Sequence, residues 1–226
     1  MGKIVRIVCL ANSRRPGGRC VAGKEIKNGL IGGWIRPVSP RKGDGLSIVQ
    51  VITTGGTEAA HLDIIDVPVV GEARSQFQTE NLAIDPGKKW ERVGRFPRGR
   101  IQELQDNPEA LWLNGDSSGA GENDRVEESV AAAALETSLH LIRPNTLQVS
   151  RDEGFEKPQV RADFIYHGIA YRLVVTDLAV EASLAAKGMG PWEIDPKRVL
   201  LCISLALPFK GHAYKLVAGI IGFTGV

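Results

Sequence analysis

The 226-residue sequence is poor in cysteine and contains only Cys9, Cys20 and Cys202. Three thiols are an odd number and no Cys-x-x-Cys pair is present, so neither a disulfide framework nor a zinc knuckle has its ligands. We therefore expect reduced thiols, which are typical of the cytosol. Aromatic residues are also scarce, at 6% of the chain, so each tryptophan has to be placed individually.

Long apolar runs are missing as well. No apolar segment approaches the ~20 residues that are needed to cross a bilayer. The N-terminal run at residues 3–10 is interrupted by Arg6 and lacks the apolar region of a signal peptide. The sequence therefore predicts a soluble, cytoplasmic protein without a membrane partner.

The motifs of the common enzyme classes are absent too. The sequence has no G-x-G-x-x-G, no Walker loop, no H-E-x-x-H and no nucleophile elbow. His61 with Asp63 and Asp66 comes nearest to a metal cluster, but strand alternation would set Asp66 on the opposite face. We predict no catalytic residue, no metal and no cofactor, and favour a binding protein over an enzyme. A hydrolytic site combining Asp177, Ser204 and a histidine is an alternative that no motif supports.

Short segments rich in isoleucine and valine, bounded by glycine, proline, asparagine and serine, recur along the chain. Such segments are typical of β-strands. They lie at 3–10, 20–26, 33–39, 47–54 and 62–70, and again at 139–142, 146–150, 160–166, 169–176, 199–207 and 213–221. These segments predict a mainly β chain. Because 226 residues exceed the ~100–200 of a typical domain, we expect the strands to form two small antiparallel barrels.

An acidic stretch separates the two groups of strands. Residues 103–136 contain nine acidic residues and a single base, Arg125. Their alanine-rich part predicts a helix over 124–140 with Asp124 as N-cap, preceded by a short helix over 101–107. We therefore expect a first barrel at 1–100, an acidic helical connector at 101–137 and a second barrel at 138–226.

Local signals add detail to the second barrel. The dipeptides His167-Gly168 and Lys210-Gly211 lie between predicted strands and are predicted to form hairpin tips. A helix is predicted over 178–187, where Asp177 would cap its start and Gly188 would end it.

Acidic residues are nearly absent from the N-terminal region. Residues 1–42 contain ten lysines and arginines against one acid, Glu25, although the whole chain carries a net charge of only +2. Attraction of a polyanion depends on a local patch rather than on net charge. The uneven distribution favours a polyanionic partner, whereas a merely solvated barrel surface is the simpler explanation for most charge runs.

The arginines of this region cluster in one loop, where Arg14, Arg15 and Arg19 flank Gly17 and Gly18. Glycine lets backbone N–H groups approach an anion closely, and a guanidinium offers planar, bidentate contacts to phosphate. The loop is therefore predicted to hold phosphate groups.

An aromatic residue follows on the third predicted strand. The two-residue period of a strand places Trp34 and Arg36 on one face, an arrangement that suits base stacking and phosphate contact. A core position is the open alternative for Trp34. In an oligonucleotide-binding (OB) barrel, ligands lie across strands 2 and 3, between the 1–2 and 4–5 loops. Numbered in sequence order, the basic loop is the first of these loops and residues 54–60 are the second.

Two pairs of segments resemble a known family. Cys-Leu-Ala-Asn-Ser-Arg-Arg-Pro-Gly-Gly-Arg-Cys-Val-Ala-Gly-Lys-Glu at 9–25 and Gly-Gly-Trp-Ile-Arg-Pro-Val-Ser at 32–39 resemble the opening of bacterial dual OB-containing domain proteins. Tyr-Arg-Leu-Val-Val-Thr-Asp at 171–177 and Leu-Cys-Ile-Ser-Leu-Ala-Leu-Pro-Phe-Lys-Gly-His-Ala-Tyr-Lys-Leu-Val-Ala at 201–218 resemble that family's second half. The resemblance implies two OB-type units and a nucleic-acid-binding role, and it brings no established reaction. The positions that match the family's motifs are Ser13, Arg14, Gly17, Gly18, Arg19, Trp34, Arg36, Asp177, Ser204, Phe209, Lys210, Tyr214 and Lys215.

Together these features predict a non-catalytic protein that binds single-stranded or structured nucleic acid. The predicted contact residues are Ser13, Arg14, Arg15, Gly17, Gly18, Arg19, Trp34, Arg36, Lys42, Phe209, Lys210, Tyr214 and Lys215. The alternative is a protein-interaction or small-ligand module, in which the acidic connector docks a partner or covers the basic groove.

Overall fold

The computed structural model describes residues 2–41, 43, 45–154 and 158–225, and in them the chain consists mainly of β-strands, as the sequence predicts. The chain consists of two compact units, Met1–Leu104 and Gln105–Val226. Within the described residues, every helix is too short or too polar to traverse a bilayer.

The first unit is a closed five-stranded barrel with one additional strand. Its elements are β1 (Lys3–Arg15), β2 (Gly18–Lys27), β3 (Leu30–Val38), α1 (Ile48–Val51), β4 (Asp63–Glu72), β5 (Asn81–Ile84), β6 (Glu91–Arg95) and a 3₁₀ helix (Arg98–Leu104). The strands follow the order β1-β2-β3-β5-β4, and β4 pairs with β1 to close the barrel. The β3–β5 pair is parallel, whereas the other ladders are antiparallel.

Alternation along the strands builds the core of this unit. Val5, Ile7 and Cys9 of β1 point inward and pack with Ile65 and Trp90, all of them almost completely buried. Burial of one such aliphatic side chain contributes roughly 1.5–3 kcal/mol. The core therefore fixes the register of β1, and with it the position of the hairpin that follows.

The predicted strand at 47–54 is wrong. Ser47-Ile-Val-Gln50 forms a capping box, in which the Ser47 N–H donates to Gln50 Oε1 at 2.8 Å, and the chain turns into α1. Because α1 replaces a strand, the loop between the fourth and fifth strands of this barrel is residues 73–80 rather than 54–60.

The second unit repeats this strand order in an extended sheet. Its elements are β7 (Arg125–Glu127), α2 (Glu128–Ala134), β8 (Leu139–Ile142), β9 (Thr146–Asp152), β10 (Gln159–Tyr166), β11 (Ile169–Val175), α3 (Leu178–Ala185), β12 (Gly190–Glu193), a 3₁₀ helix (Pro196–Arg198), β13 (Leu200–Leu205) and β14 (His212–Ile221). The order β9-β10-β11-β14-β13 matches β1-β2-β3-β5-β4, and the β11–β14 pair is again parallel. At the two ends of this run β12 pairs with β9, and β8 pairs with β13.

Part of the acidic segment is incorporated in this sheet. β7 pairs with β14, and Glu122 forms a bridge with Arg172 of β11. β11 and β14 pair directly with each other at Val174 and Val175. At earlier positions of these two strands, the segment 122–127 pairs with β11 and with β14 instead. Residues 105–137, expected in the connector, belong to the second unit.

The long helix predicted over 124–140 is wrong, since only Glu128–Ala134 is helical there. Asp124 does not cap this helix. Its carboxylate instead accepts hydrogen bonds from the Ser118 N–H at 2.7 Å and from Ser118 Oγ at 2.6 Å. The short helix predicted over 101–107 is replaced by the 3₁₀ helix Arg98–Leu104.

The local turn and cap predictions of the second unit are confirmed. His167-Gly168 and Lys210-Gly211 form tips between paired strands, and all four residues have positive φ, at 49°, 79°, 51° and 81°. Two successive positive φ values are typical of type I′ hairpin turns. Asp177 caps α3 through the Ala179 and Val180 N–H groups.

Candidate functional site

The basic loop predicted at 13–19 is the end of the β1–β2 hairpin. Arg14 lies opposite Arg19 and Arg15 opposite Gly18, so the tip is reduced to Pro16 and Gly17. Gly17 has a φ of +78°, and its position in the two-residue tip favours glycine. The structure thus places the arginines at the end of a narrow hairpin with a two-residue tip.

A second segment clamps this hairpin. The Arg19 N–H donates to the Leu46 carbonyl oxygen at 2.7 Å, and the Leu46 N–H donates to the Arg19 carbonyl oxygen at 3.0 Å. Gly18 is pressed against the same residue, because a Cβ atom there would lie 2.2 Å from the Leu46 carbonyl oxygen. Arg15 Nη2 donates to the Gly43 carbonyl oxygen at 3.2 Å. Gly18 is therefore required for packing, and the hairpin is held in one position.

Arg19 forms an ion pair with Glu58. Its Nε and Nη2 atoms contact the two carboxylate oxygens of Glu58 at 2.9 and 3.1 Å, and Asn12 Nδ2 donates to the same carboxylate at 3.2 Å. The hydrogen bonds between them raise the pKa of Arg19 and lower the pKa of Glu58. Arg19, close to the tip of the hairpin, is thereby anchored to Glu58, and a predicted phosphate contact is occupied by a carboxylate.

Ser13 is a second anchor. It is buried, and its Oγ donates to the Cys20 carbonyl oxygen at 3.3 Å across the hairpin. The family resemblance placed this residue among the contact residues, whereas in the structure it takes part in the hairpin's internal hydrogen bonding.

The structure does not open Arg36 to solvent. Its side chain is only 2% exposed and lies 3.4 Å from the Glu80 carboxylate, while its N–H donates to the Glu80 carbonyl oxygen at 3.0 Å. Trp34, two residues earlier on β3, is half-buried, and Lys24 Nζ lies 5.6 Å from its ring centroid. The predicted aromatic and basic face of β3 is therefore partly covered and already holds a cation–π contact.

A groove that sequence reasoning missed lies beside the hairpin tip. It has a volume of about 590 Å³ and its lining includes Gly17, Ser39, Arg41, Gly43, Ser47 and Gln50. No acidic side chain is among the described residues that line it. The predicted contact residue Lys42 lies outside the described residues. In sequence it stands between Arg41 and Gly43, which line this groove. Ser47 and Gln50, which form the capping box of α1, both line this groove. Their spacing is the local sequence signal that could have indicated this part of its wall.

A second groove, of about 600 Å³, is associated with the opposite end of β1 and β2. Lys3, Arg6 and Lys27 line it together with the carboxylates of Glu25 and Asp66. Arg6 Nε contacts Asp66 Oδ1 at 2.6 Å, so part of the positive charge is compensated. The two ends of the hairpin thus differ in electrostatic character although both carry cations.

In the second unit, the four predicted contact residues divide into two groups. Phe209 and Lys210 are exposed on the loop between β13 and β14, where Phe209 is 63% exposed and Lys210 Nζ lies 5.3 Å from its ring centroid. Tyr214 is half-buried and pairs with Arg125 of β7. Only the first two residues form an exposed pair of an aromatic ring and a cation.

Lys215 belongs to the interior instead. It is 1% exposed, and its Nζ donates to the Leu113 carbonyl oxygen at 2.7 Å and to Asn114 Oδ1 at 3.0 Å. Burial lowers its pKa to about 8, while Asp124 and Asp116 act in the opposite direction. The side chain fastens the segment around residue 113 to β14 and is not available to an external ligand.

Asp177 and Ser204 are both buried in the second unit. The Asp177 carboxylate accepts hydrogen bonds from the N–H groups of Ala179, Val180 and Ile220 and is 1% exposed. Ser204 is buried within β13. In the described part of the chain, His, Cys, Asp and Glu side chains form no group of three that could hold a metal ion.

Comparison with protein families gives one match over almost the whole chain. A family model described as a dual OB-containing domain matches residues 5–220. The curated proteins and the solved structures that were searched gave no match. The resemblance drawn from residues 9–25, 32–39, 171–177 and 201–218 is confirmed by this family match, as is the two-OB, mainly β fold.

Proposed function

Because the chain belongs to the dual OB-containing domain family, we propose that it binds nucleic acid through the basic hairpin of its first unit without catalysing a reaction. One observation supports this most strongly. The tip end of the hairpin is held by backbone hydrogen bonds between Arg19 and Leu46 and by the Arg15 side chain, which donates to the Gly43 carbonyl oxygen, and the tip lines a groove whose described lining has a cation and no carboxylate.

Pre-organisation makes this hairpin suitable for a polyanion. Arg15 is hydrogen-bonded to a neutral carbonyl, so that contact positions its guanidinium without cancelling its charge. Arg41, across the groove, is exposed and forms no ion pair with another described residue. Rigid cations lose little conformational entropy when they bind phosphate, and phosphate contacts provide most of the affinity for nucleic acid.

The predicted contact residues then take different roles. Arg14 and Arg15 contact phosphates and Gly17 forms the tip, whereas Ser13, Gly18 and Arg19 hold the hairpin in place. Trp34 is assigned a minor role because Lys24 already lies over its ring. We assign Phe209 and Lys210 to a second contact, since an exposed aromatic ring on a rigid turn can stack on an unpaired base.

The proposal is tested by fluorescence anisotropy with labelled RNA and DNA single strands. The double variant Arg14→Gln/Arg15→Gln removes two charges from the groove end of the hairpin. We expect about a tenfold loss of affinity, because two phosphate contacts disappear. Circular dichroism of the variant checks that the fold is kept.

The matched control is Lys3→Gln/Lys27→Gln, which removes two exposed charges from the opposite end of the same strands. Its affinity should stay within about twofold of the wild type. Equal losses in both double variants would show that only overall charge matters, and unchanged affinity in Arg14→Gln/Arg15→Gln would eliminate the hairpin as the site.

A further inference from the structure

We infer that the groove beside the hairpin tip takes unpaired nucleotides of a strand, such as a single-stranded end, and that a blunt duplex cannot place a base in it. This inference rests on the proposed function and adds the class of nucleic acid. It follows from three features: the covering of β3, the lining of the groove, and a fixed amide donor within it.

The first feature concerns the face across which ligands run in an OB barrel, strands 2 and 3. Here the outer side of β3 lies against the 73–80 loop and the start of β5. Arg36, Gln78 and Asn81 are 2%, 6% and 4% exposed, and the Ala73 N–H donates to the Asn81 carbonyl oxygen at 3.0 Å. A polymer could lie on this part of the face only by displacing the loop. The groove at the hairpin tip is open without such a rearrangement.

The second feature is the chemistry of the groove wall. Pro16, Pro40 and Pro86 contribute three rings, and Gly17 and Gly43 leave their backbone uncovered. The volume of about 590 Å³ lies within the range of roughly 300–1,000 Å³ in which pockets enclose small molecules. Apolar proline rings can pack against the face of a nucleobase, and the polar groups between them can bond to its edge.

The third feature is Gln50. Its Oε1 accepts from the Ser47 N–H at 2.8 Å, which fixes the orientation of the amide. Within the described part of the chain, its Nε2 donates to no other residue, and the side chain lines the groove. An orientated amide donor can read a carbonyl or ring nitrogen of a base.

Base pairing decides which nucleic acid can use these groups. In a duplex the bases are stacked and paired, so a small concave site on a protein can contact only the phosphates and the edges of the bases. In a single strand the base can turn outward and enter the groove. Its phosphates can then contact Arg41 of the groove lining and Arg15, which donates to Gly43 of that lining. The unpaired strand therefore gains contacts that the duplex lacks.

The test compares three labelled oligonucleotides of one sequence by anisotropy: a single strand of about twelve nucleotides, within the roughly 4–16-nucleotide footprint of an OB fold, a blunt duplex, and a duplex with a single-stranded overhang. We expect the blunt duplex to bind at least about tenfold more weakly than the single strand, and the overhang to restore most of the affinity.

Gln50→Ala provides the residue-level test. It should weaken binding of the single strand about three- to tenfold, because a base contact is lost, and leave blunt-duplex binding unchanged. Val49→Ala, an exposed change on the same helix, is the matched control and should have no effect on either.

The two proposals fail in different ways. Absence of binding to all three oligonucleotides would overturn the proposed function and this inference together. Equal binding of the single strand and the blunt duplex, with no effect of Gln50→Ala, would overturn this inference alone and leave nucleic-acid binding by the hairpin in place.

Discussion

Single residues of the same type have different surroundings in this protein. Arg14, Arg15 and Arg19 are alike in local sequence, yet the fold pairs Arg19 with Glu58, 39 positions later, while Arg15 donates to the Gly43 carbonyl oxygen. Arg36 is buried against Glu80 in the same way. Local spacing predicted the cluster of cations correctly, but it contains no information about which carboxylates the fold brings to them. The pairing of Arg19 and Arg36 with carboxylates could therefore be seen only in the tertiary structure.

The burial of Lys215 predicts that the stability of the protein depends on pH. Its ammonium group is buried, with a pKa of about 8 in the folded protein against 10.5 for an ordinary lysine. Between these values the unfolded chain binds more protons than the folded one, so the free energy of unfolding rises with pH in this window. Over the full window the Lys215 contribution amounts to about 3 kcal/mol.

The measurement is urea denaturation of the wild type and Lys215→Met at pH 7.5 and 10. The loss of the hydrogen bonds to Leu113 and Asn114 lowers the stability of the variant by a pH-independent amount. The wild type should gain stability relative to Lys215→Met on going to pH 10. A difference between the two proteins that does not change with pH would contradict the account.

At the scale of elements, signals confined to a few residues predicted the structure best. The hairpin tips at His167-Gly168 and Lys210-Gly211 and the cap at Asp177 follow from turn and cap chemistry, which acts within a few residues. The strand predicted over 47–54 failed because isoleucine and valine also occur in α1, where the Ser47–Gln50 capping box ends the extended backbone. The helix over 124–140 failed because residues 125–127 pair with β14, a long-range contact.

The hairpin clamp provides a prediction at this scale. Gly18→Ala would place a Cβ atom 2.2 Å from the Leu46 carbonyl oxygen, and backbone on both sides has to move. We expect a loss of roughly 2 kcal/mol or more in the free energy of unfolding, together with weaker binding of single strands, because the hairpin shifts.

Gly17→Ala is its matched control. A Cβ atom there meets open space, so the expected cost is only the backbone strain at a φ of +78°, about 1 kcal/mol. Urea denaturation and anisotropy compare the two variants. Equal losses of stability and of affinity would show that the Gly18–Leu46 contact does not position the hairpin.

At the scale of the whole molecule, fold class and charge distribution could be predicted from the sequence, but barrel closure could not. Ile- and Val-rich segments indicated a mainly β chain, and the family match confirms two OB units. The first unit closes through β1–β4 pairing, whereas in the second β9 pairs with β12 and β13 pairs with β8. These pairings join segments with no residue-level repeat, so no local pattern distinguishes the two barrels.

The unequal charge of the two chain regions has one functional consequence. The net charge of +2 is too small to attract a polyanion by itself, whereas residues 1–42 hold ten bases against one acid. If the hairpin is the binding site, attraction comes from a few local phosphate contacts, and each of them releases counterions. The slope of log affinity against log salt concentration is therefore proportional to the number of those contacts.

The most direct measurement is the slope of log affinity against log salt concentration for a labelled single strand, in the wild type and in Arg14→Gln/Arg15→Gln. Each contact on a single strand contributes about −0.7 to the slope, so the variant's slope should be shallower by about 1.4. Parallel lines for the two proteins would contradict the claim that this hairpin binds phosphate.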